Sequence, residues 1–208
     1  MTFAVLFVCT GNICRSPMAE LLARSLLDGR LGASASQVVV ASAGTWGHEG
    51  SHMEPEAVQA LAQCGIDGQH FRARELTHDM VCAADLVLTA TREHAVAAVA
   101  LAPESAGKVF AMTEFARLLR GVDSAELPGD VPSTGRALTA AAAAARRQDG
   151  QRGADADLAD PYGAPLRVFS RTAAQIQSLL EPLVDMLAAT TSATPGSSPI
   201  ARVGMQRP

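Results

Sequence analysis

The sequence predicts an α/β fold in which a four-stranded parallel sheet, in flavodoxin-like order, carries helices on both faces. Apolar runs that do not alternate with polar residues recur along the chain, and such runs are typical of strands buried on both faces. A segment with helical spacing follows each run, and this alternation is typical of a parallel sheet. The 208 residues are 48% apolar but only 4% aromatic. The core is therefore expected to consist mainly of Ala, Val and Leu.

The first predicted strand covers residues 3–8, and turn residues at 10–12 separate it from a helix that has Pro17 in its first turn. A second strand is predicted at 38–41 and a helix at 54–64. The remaining predicted elements are strand 86–88, helix 92–101, strand 108–112, a helix from Thr113 as its cap to Leu119, and helix 172–187, in which Pro182 predicts a kink.

Two segments do not fit this repeating pattern. Residues 121–159 contain several Gly and Pro residues and a run of six alanines, which predicts an insertion with one helix over 136–147 between flexible flanks. Residues 190–208 are dominated by Thr, Ser, Pro and Gly, which predicts a disordered tail. We therefore expect a single domain over 1–189, with the insertion inside it and the tail after it.

Charge and composition exclude several classes of protein. The net charge of −4 lacks the basic excess of a nucleic-acid-binding protein. No apolar run approaches the ~20 residues of a membrane-spanning helix, and the amino terminus lacks the pattern of a signal peptide. Four scattered cysteines are too few for a disulfide scaffold. We expect a cytoplasmic globular protein with no nucleic-acid or membrane partner, and we expect Cys64 and Cys82 to be buried as small apolar residues.

The most informative segment is the loop between the first strand and the first helix, residues 8–17. Backbone N–H groups at a helix start favour an anion, and we expect Gly11 to supply the φ freedom with which such a loop curls around one. The Arg15 guanidinium can bind two phosphate-type oxygens, and Cys9 would then place its sulfur at the centre, in a setting that favours the thiolate. This arrangement predicts phosphoryl transfer through a covalent cysteine intermediate. The alternative interpretation is a buried cysteine beside an ordinary surface arginine.

Three motifs resemble one known family, the low-molecular-weight protein tyrosine phosphatases. The loop sequence Cys-Thr-Gly-Asn-Ile-Cys-Arg-Ser-Pro at 9–17 matches the signature of that family nearly residue for residue. Asp-Pro-Tyr-Gly at 160–163 and Ser-Ala-Gly-Thr-Trp-Gly at 42–47 match its second and third marks. The resemblance covers about residues 3–119 and 160–187, and it leaves out the expected insertion and tail.

The resemblance implies hydrolysis of protein tyrosine phosphate through a phosphocysteine intermediate, with no metal and no cofactor. It implies that Cys9 is the nucleophile, that Arg15 clamps the phosphate, and that Asp160 is the general acid and then the base. It further implies that a phosphotyrosine-containing protein is the substrate, and a tyrosine kinase is a candidate partner. The aromatic walls of the substrate groove would be Trp46 and Tyr162, and Ser16 would hydrogen-bond the cysteine sulfur. The loop residues that bind the substrate would be Thr10, Gly11, Asn12, Ile13, Cys14 and Ser16.

The chain departs from the family at two places and leaves one question open. The family places a histidine ahead of Ala-Arg to brace the loop asparagine, whereas here Phe71 takes that position and His70 is shifted by one; Asn12 with Ser42 can still hold the loop. Gly163 replaces a second tyrosine, so a regulatory role for two tyrosines does not carry over. Cys14 either forms a reversible disulfide with Cys9, as in the family, or is a packed small side chain.

Two other functions compete with the phosphatase. A thiol-dependent arsenate reductase uses the same loop, but it needs two further cysteines just after the third strand, where this chain has Thr-Ala-Thr-Arg. A catalytically silent phosphotyrosine-binding module would be expected to have lost Cys9 or Asp160. The pair His48 and His52 has the i, i+4 spacing of metal ligands, but Gly and Ser between them favour a solvated loop.

Overall fold

The computed structural model describes residues 1–46, 48–123, 127–149 and 157–191. Its sheet contains four parallel strands in the order β2-β1-β3-β4. The strands are β1 (Phe3–Cys9), β2 (Val38–Gly44), β3 (Leu86–Thr89) and β4 (Val109–Ala111). This arrangement confirms the predicted parallel sheet and its flavodoxin-like order.

Seven α-helices lie in the described ranges, and two short 3₁₀ helices, Gly32–Gln37 and Pro103–Lys108, precede β2 and β4. The α-helices are α1 (Arg15–Leu31), α2 (Pro55–Ala62), α3 (His78–Ala83), α4 (Arg92–Leu101), α5 (Met112–Leu119), α6 (Val131–Asp149) and α7 (Leu166–Thr191). None of the helices in the described part of the chain is long and apolar enough to cross a membrane.

The sheet has a core on each face, because side chains alternate along β1. Phe3, Val5 and Phe7 point into the larger core, which α1, α2, α5, α6 and α7 cover. Leu6 and Val8 point into the smaller core, beneath α3 and α4. Cys9, the last residue of β1, follows the alternation of the larger core and is buried. Both faces of the sheet are therefore covered, as the continuous apolar runs predicted.

Helix α6 lies within the segment 121–159 and is longer than the helix predicted there over 136–147. Val131, Leu138 and Ala142 are fully buried in the larger core, so α6 is part of the packed domain. The small residues of its alanine-rich sequence allow it to lie close to β1. The expected flexible flanks fall largely on residues 124–126 and 150–156, which lie outside the described residues.

Several boundaries differ from those predicted. Helix α5 begins at Met112, with Ala111 rather than Thr113 in the capping position. Helix α7 starts six residues earlier than expected and continues through Pro182 to Thr191, so the first two residues of the expected tail are helical. The rest of that tail, 192–208, lies outside the described residues.

The prediction that Cys64 and Cys82 are buried is wrong. Cys64 is exposed just after the end of α2, and Cys82 is half-buried on α3. Cys64 lies in the turn that follows α2, and Cys82 packs against the edge of the smaller core. An apolar side chain of this size is tolerated at such positions without full burial.

The contact between α6 and β1 generates a test of packing. A methyl group at Gly135 would lie 2.5 Å from the ring of the fully buried Phe3. Gly135→Ala is therefore expected to lower the free energy of unfolding by about 1–3 kcal/mol through overpacking, despite the better helix propensity of alanine. The measurement is the midpoint of urea unfolding.

Gly29→Ala is the matched control, because Gly29 lies in α1 with nothing within 4 Å of the added methyl. This change is expected to raise the free energy of unfolding by up to about 1 kcal/mol. An equal gain at both positions would show that α6 does not pack against Phe3 as described.

Candidate active site

The loop from Cys9 to Arg15 lies at the carboxyl edge of the sheet, where β1 has β2 on one side and β3 on the other. The direction of chain progression reverses at this point, and α/β proteins bind ligands in the crevice that results. An open cavity of about 140 Å³ lies there. Its lining residues are Cys9, Thr10, Gly11, Ile13, Cys14, Arg15, Trp46, His48, Asp160 and Tyr162.

Neighbouring segments hold the loop by its carbonyl oxygens. The carbonyls of Cys9 and Thr10 accept hydrogen bonds from the backbone N–H groups of Thr45 and Trp46, at 2.9 and 3.1 Å. The carbonyl of Ile13 accepts another, from Glu54 N–H at 3.0 Å. In a trans peptide the N–H points opposite to the C=O. The N–H groups that follow these carbonyls therefore face into the loop, where they form a nest suited to an anion.

The conformation of the loop depends on Asn12 and not, as expected, on the φ freedom of Gly11. Asn12 has a left-handed φ of 55°, which asparagine tolerates better than most residues. Gly11 is required for a different reason, since a Cβ atom there would lie 2.6 Å from the His48 ring. Gly44 is required in the same way, because a Cβ atom there would overlap the Thr10 carbonyl oxygen. Two glycines thus allow β2 and the following loop to pack directly against the anion nest.

The Asn12 side chain is buried, and both its amide nitrogen and its amide oxygen make hydrogen bonds. Its Nδ2 donates to Ser16 Oγ and to Ser42 Oγ, both at 2.8 Å, and its Oδ1 accepts from the Arg74 backbone N–H at 2.8 Å. The predicted pairing of Asn12 with Ser42 is therefore confirmed. Neither His70 nor Phe71 braces Asn12, because the brace comes from the backbone of Arg74.

A buried carboxylate that the sequence reasoning missed supports this brace. Glu20 on α1 is only 5% exposed, and its Oε2 accepts from Ser42 Oγ at 2.7 Å and from Arg74 Nη2 at 2.9 Å. Its Oε1 accepts from Arg24 Nη2 at 2.8 Å. Two arginines thus compensate one buried charge, which would otherwise be costly. The only signal in the sequence was an acidic residue on the apolar face of the first helix.

The thiol of Cys9 lies beside a hydroxyl group. Cys9 Sγ is 3.0 Å from Ser16 Oγ, and both residues are buried. Because Ser16 Oγ accepts from Asn12, its own hydrogen remains available to the sulfur or to the Ala43 carbonyl, 3.3 Å away. Cys14 is also buried, and both cysteines are free thiols. Burial and the neighbouring Cys9 raise the pKa of the Cys14 thiol far above its usual range, so Cys14 stays protonated.

Asp160 reaches the site from the carboxyl-terminal part of the chain. Its Oδ2 accepts from Arg15 Nη2 at 2.6 Å, and the Arg15 side chain is buried while that of Asp160 is 48% exposed. Arg15 Nη1 also donates to the Leu158 carbonyl at 3.2 Å. Leu158 N–H in turn donates to the Ala90 carbonyl at 3.0 Å. The Asp160 segment is therefore anchored both to the loop and to the end of β3.

Aromatic side chains surround the mouth of the cavity. Trp46 is 70% exposed and Tyr162 is 64% exposed, although both are large and partly apolar. The His48 ring meets Trp46 edge-on, with 6.1 Å between ring centroids. His48 lines the cavity and was missed as a site residue, since its pairing with His52 directed attention to metal ligation. Gly47, the last residue of the tryptophan motif, lies outside the described residues.

His94 on α4 is a second missed residue. Its Nε2 lies 2.9 Å from Thr10 Oγ1 and its Nδ1 lies 2.7 Å from Thr91 Oγ1. Thr10 Oγ1 also accepts from Arg15 Nη2 at 3.4 Å. Burial, and then the charge of Arg15, lower the pKa of His94 below its usual value. His94 is thus a neutral imidazole that links the anion loop to β3 and α4.

The lowered pKa of His94 predicts acid sensitivity. The unfolded chain binds a proton at this residue near pH ~6.5, whereas the folded chain binds it only at lower pH. The stability contributed by neutral His94 is therefore present above that pH and lost as the pH falls below it. Urea unfolding at pH 7.5 and 5.5 should show a smaller loss of stability for His94→Gln than for the wild type. Equal losses in the two proteins would contradict the assignment.

A family model provides an independent comparison. The model described as low molecular weight phosphotyrosine protein phosphatase matches residues 4–128, more than half of the chain. A relative in Ralstonia solanacearum, named probable low molecular weight protein-tyrosine-phosphatase EpsP, is 40% identical over 55% of this chain and 73% of its own length. The protein-arginine-phosphatase of Geobacillus stearothermophilus is 30% identical over 90% of this chain and 97% of its own length.

Solved structures agree with this assignment. The low molecular weight protein tyrosine phosphatase of T. tengcongensis is 32% identical, with a TM-score of 0.65, and the alignment covers 88% of this chain and 99% of that one. The YwlE arginine phosphatase of Geobacillus stearothermophilus also has a TM-score of 0.65, at 28% identity over 94% and 99% of the two chains. With the signature loop, the parallel sheet and the matched family model together, the chain belongs to the low molecular weight phosphotyrosine protein phosphatase family of cysteine-dependent phosphatases.

Proposed function

We propose that this protein hydrolyses tyrosine phosphate in proteins through a phosphocysteine intermediate. The observation that carries the proposal is the convergence of Cys9, Arg15 and Asp160 on one cavity whose mouth is formed by Trp46 and Tyr162. A nucleophile, an anion site and an acid are the groups that transfer of a phosphoryl group to a cysteine requires.

In the first step the Cys9 thiolate attacks phosphorus, so that a sulfur–phosphorus bond forms as the bond to the phenolic oxygen breaks. The inward N–H groups of the loop and the Arg15 guanidinium stabilise the negative charge on the phosphoryl oxygens. Arg15 Nε is buried and has no hydrogen-bond partner among the described residues. One donor of the guanidinium is therefore free for a phosphate oxygen even while Asp160 occupies another.

Asp160 acts on the leaving group. An incoming phosphate dianion competes with the Asp160 carboxylate for Arg15. Once the carboxylate has left the ion pair, Asp160 can take up a proton and donate it to the leaving oxygen. Phenol has a pKa of about 10 and leaves poorly unless it is protonated. In the second step Asp160 takes a proton from water, the water oxygen bonds to phosphorus, and Cys9 leaves as a thiolate that Ser16 can stabilise by hydrogen bonding.

The lining of the cavity supports an aryl substrate. Trp46 and Tyr162 offer exposed rings that can stack on the phenyl ring of phosphotyrosine. Ile13 contributes an apolar side chain to the lining of the loop, which suits a ring and offers no hydrogen bond. An alkyl phosphate such as phosphoserine is too short to place its phosphate in the nest while contacting these rings.

Phosphoarginine in proteins is a second candidate substrate. A relative that aligns with 90% of this chain is named a protein-arginine-phosphatase, and a mutant of the YwlE arginine phosphatase carries a phosphorylated active-site serine. A guanidinium group needs hydrogen-bond acceptors near the phosphate. Asp160 and His48 line the cavity and can accept its N–H groups, as can the hydroxyl oxygens of Thr10 and Tyr162.

We place this activity in the cytoplasm, where all four cysteines would remain reduced. The protein partner is then a phosphorylated protein, and a tyrosine kinase that phosphorylates itself is one such substrate. We expect residues 1–189 to act as one domain in this role, since α6 packs into the same core as the loop and α7.

The catalytic roles predict different responses to two aryl phosphates. Cys9→Ser is expected to abolish turnover of both p-nitrophenyl phosphate and a phosphotyrosine peptide. Asp160→Asn is expected to reduce kcat by about 10²–10⁴-fold for the peptide. The loss should be smaller for p-nitrophenyl phosphate, because its leaving group needs less protonation. Steady-state kinetics in the presence of a chelator provide the measurement.

Equal losses for the two esters in Asp160→Asn would contradict the role of general acid. No turnover of either ester by freshly reduced wild type would overturn the phosphatase activity on aryl esters and bring arsenate reduction or silent binding forward as alternatives.

The proposed preference for phosphotyrosine over phosphoarginine predicts a ratio of kcat/KM values. One peptide sequence carrying either phosphotyrosine or phosphoarginine is expected to give a kcat/KM at least about tenfold higher for phosphotyrosine. Trp46→Ala should raise KM for phosphotyrosine with little change in kcat, because it removes stacking that is equal in ground and transition state. A higher kcat/KM for phosphoarginine would transfer the proposal to that substrate.

A further inference from the structure

Three potential metal ligands meet on the opposite side of the molecule from the phosphate loop. His78 and Cys82 lie one turn apart on α3, and Glu104 lies in the 3₁₀ helix Pro103–Lys108. These two elements immediately precede β3 and β4 in the chain, so they lie at the amino edge of the parallel sheet. The phosphate loop lies at the carboxyl edge. The three side chains are therefore separate from the proposed catalytic machinery.

The three side chains point at one another. Glu104 Oε1 lies 3.0 Å from His78 Nε2 and 3.0 Å from Cys82 Sγ, and Cys82 Sγ lies 3.5 Å from His78 Nε2. One nitrogen, one sulfur and one oxygen atom thus form a compact triangle. His78 and Glu104 are more than half exposed, at 53% and 58% of their side chains. An ion can reach the triangle directly from solvent.

We propose that His78, Cys82 and Glu104 form a binding site for a zinc ion. Imidazole, thiolate and carboxylate are the side-chain ligands that zinc takes in proteins. A thiolate disfavours magnesium and calcium, which prefer oxygen ligands alone. Three protein ligands leave a fourth position of a tetrahedral ion for water.

The separations fit a tetrahedral ion with little movement. Zinc bonds of about 2.3 Å to sulfur and 2.0–2.1 Å to nitrogen or oxygen place tetrahedral ligand atoms about 3.3–3.6 Å apart. The existing separations are 3.0, 3.0 and 3.5 Å. The two distances from Glu104 Oε1 need to lengthen by about half an ångström to reach the tetrahedral values. The Glu104 side chain is exposed and flexible enough to make this movement.

The surroundings of the triangle also suit a metal. His78 Nδ1 lies 3.3 Å from Asp79 Oδ1 and 3.8 Å from Cys82 Sγ. A carboxylate thus holds the imidazole through the ring nitrogen that does not contact Glu104, as is common for zinc-bound histidine. The nearby Lys108 ammonium donates to the backbone carbonyls of Cys82 and Ala84, at 2.8 and 2.6 Å. These two hydrogen bonds of Lys108 go to the backbone and not to the three side chains of the triangle.

Binding has a defined proton balance and a structural consequence. As the zinc–sulfur bond forms, the thiol proton of Cys82 leaves to solvent, and two anionic ligands then balance the charge of the ion. The ion joins α3 to the 3₁₀ helix that leads into β4. Zinc should therefore stabilise the amino edge of β3 and β4 without changing the groups around Cys9.

Metal titration of the full chain tests this site. The Cys9→Ser protein is used throughout, so that zinc cannot bind the reactive thiol of the phosphate loop. Reduced, metal-free protein is expected to bind one Zn²⁺ per chain and to gain thermal stability, whereas Mg²⁺ has no effect. Co²⁺ in place of zinc should give the charge-transfer absorption of a cobalt–thiolate bond.

Three variants assign the ligands, and one serves as the control. Cys82→Ser is expected to abolish the cobalt–thiolate absorption, and His78→Ala and Glu104→Gln to weaken zinc binding at least tenfold. Cys64→Ser, which removes an exposed thiol elsewhere, should bind zinc like the parent protein. If Cys82→Ser fails to fold, the zinc affinities of His78→Ala and Glu104→Gln still test the proposal, because both positions are exposed. Absence of binding, or affinity unchanged in His78→Ala and Glu104→Gln, would overturn the proposal and leave a hydrogen-bonded surface cluster.

Discussion

The hydrogen bonding of the Asn12 carboxamide is the constraint on which the site depends. This one buried group joins α1 through Ser16, β2 through Ser42, and the segment before α3 through the Arg74 backbone. Without it, Ser16 and Ser42 would each lose one of their hydrogen bonds and the Arg74 backbone N–H would lose its acceptor. A typical hydrogen bond of this kind contributes about 1 kcal/mol to stability. The left-handed φ of Asn12 is maintained by the same bonds. The conformation of the anion nest and the packing of three elements are therefore parts of one hydrogen-bonded arrangement.

The strands of the sheet were predictable because their signals are local. Continuous apolar runs identified all four strands, and the turn residues after them identified the helix starts. Helix α6 was recognised as a helix, but its packing in the core was not predicted, because an alanine-rich sequence has too weak an apolar pattern to reveal its buried face. The close approach of Gly135 to Phe3 shows that its small residues serve contact with β1, and that information lies in the partner strand, more than a hundred residues away.

The residues of the site also fall into those that the sequence could identify and those that only the fold reveals. Cys9, Arg15 and Ser16 lie within eight residues, so the loop could be identified from the residues themselves, and the tryptophan and Asp-Pro-Tyr motifs followed from the resemblance. Glu20 and His94 act through Ser42, Thr10 and other partners that only the fold brings near. A sequence also cannot distinguish a glycine needed for its φ from one needed for space. Gly11 was assigned to the first kind and belongs to the second.

The anchoring of the Asp160 segment has a consequence for how this chain can vary. Its position is set by Arg15, by the Ala90 carbonyl and by the Arg92 backbone N–H, which donates to Asp157. All of these contacts are made by residues from position 157 onward. The position of Asp160 is thus set by the points at which its own segment attaches to the rest of the domain. A change in the number of residues that precede position 157 would therefore leave these contacts in place, and with them the position of Asp160 relative to Cys9.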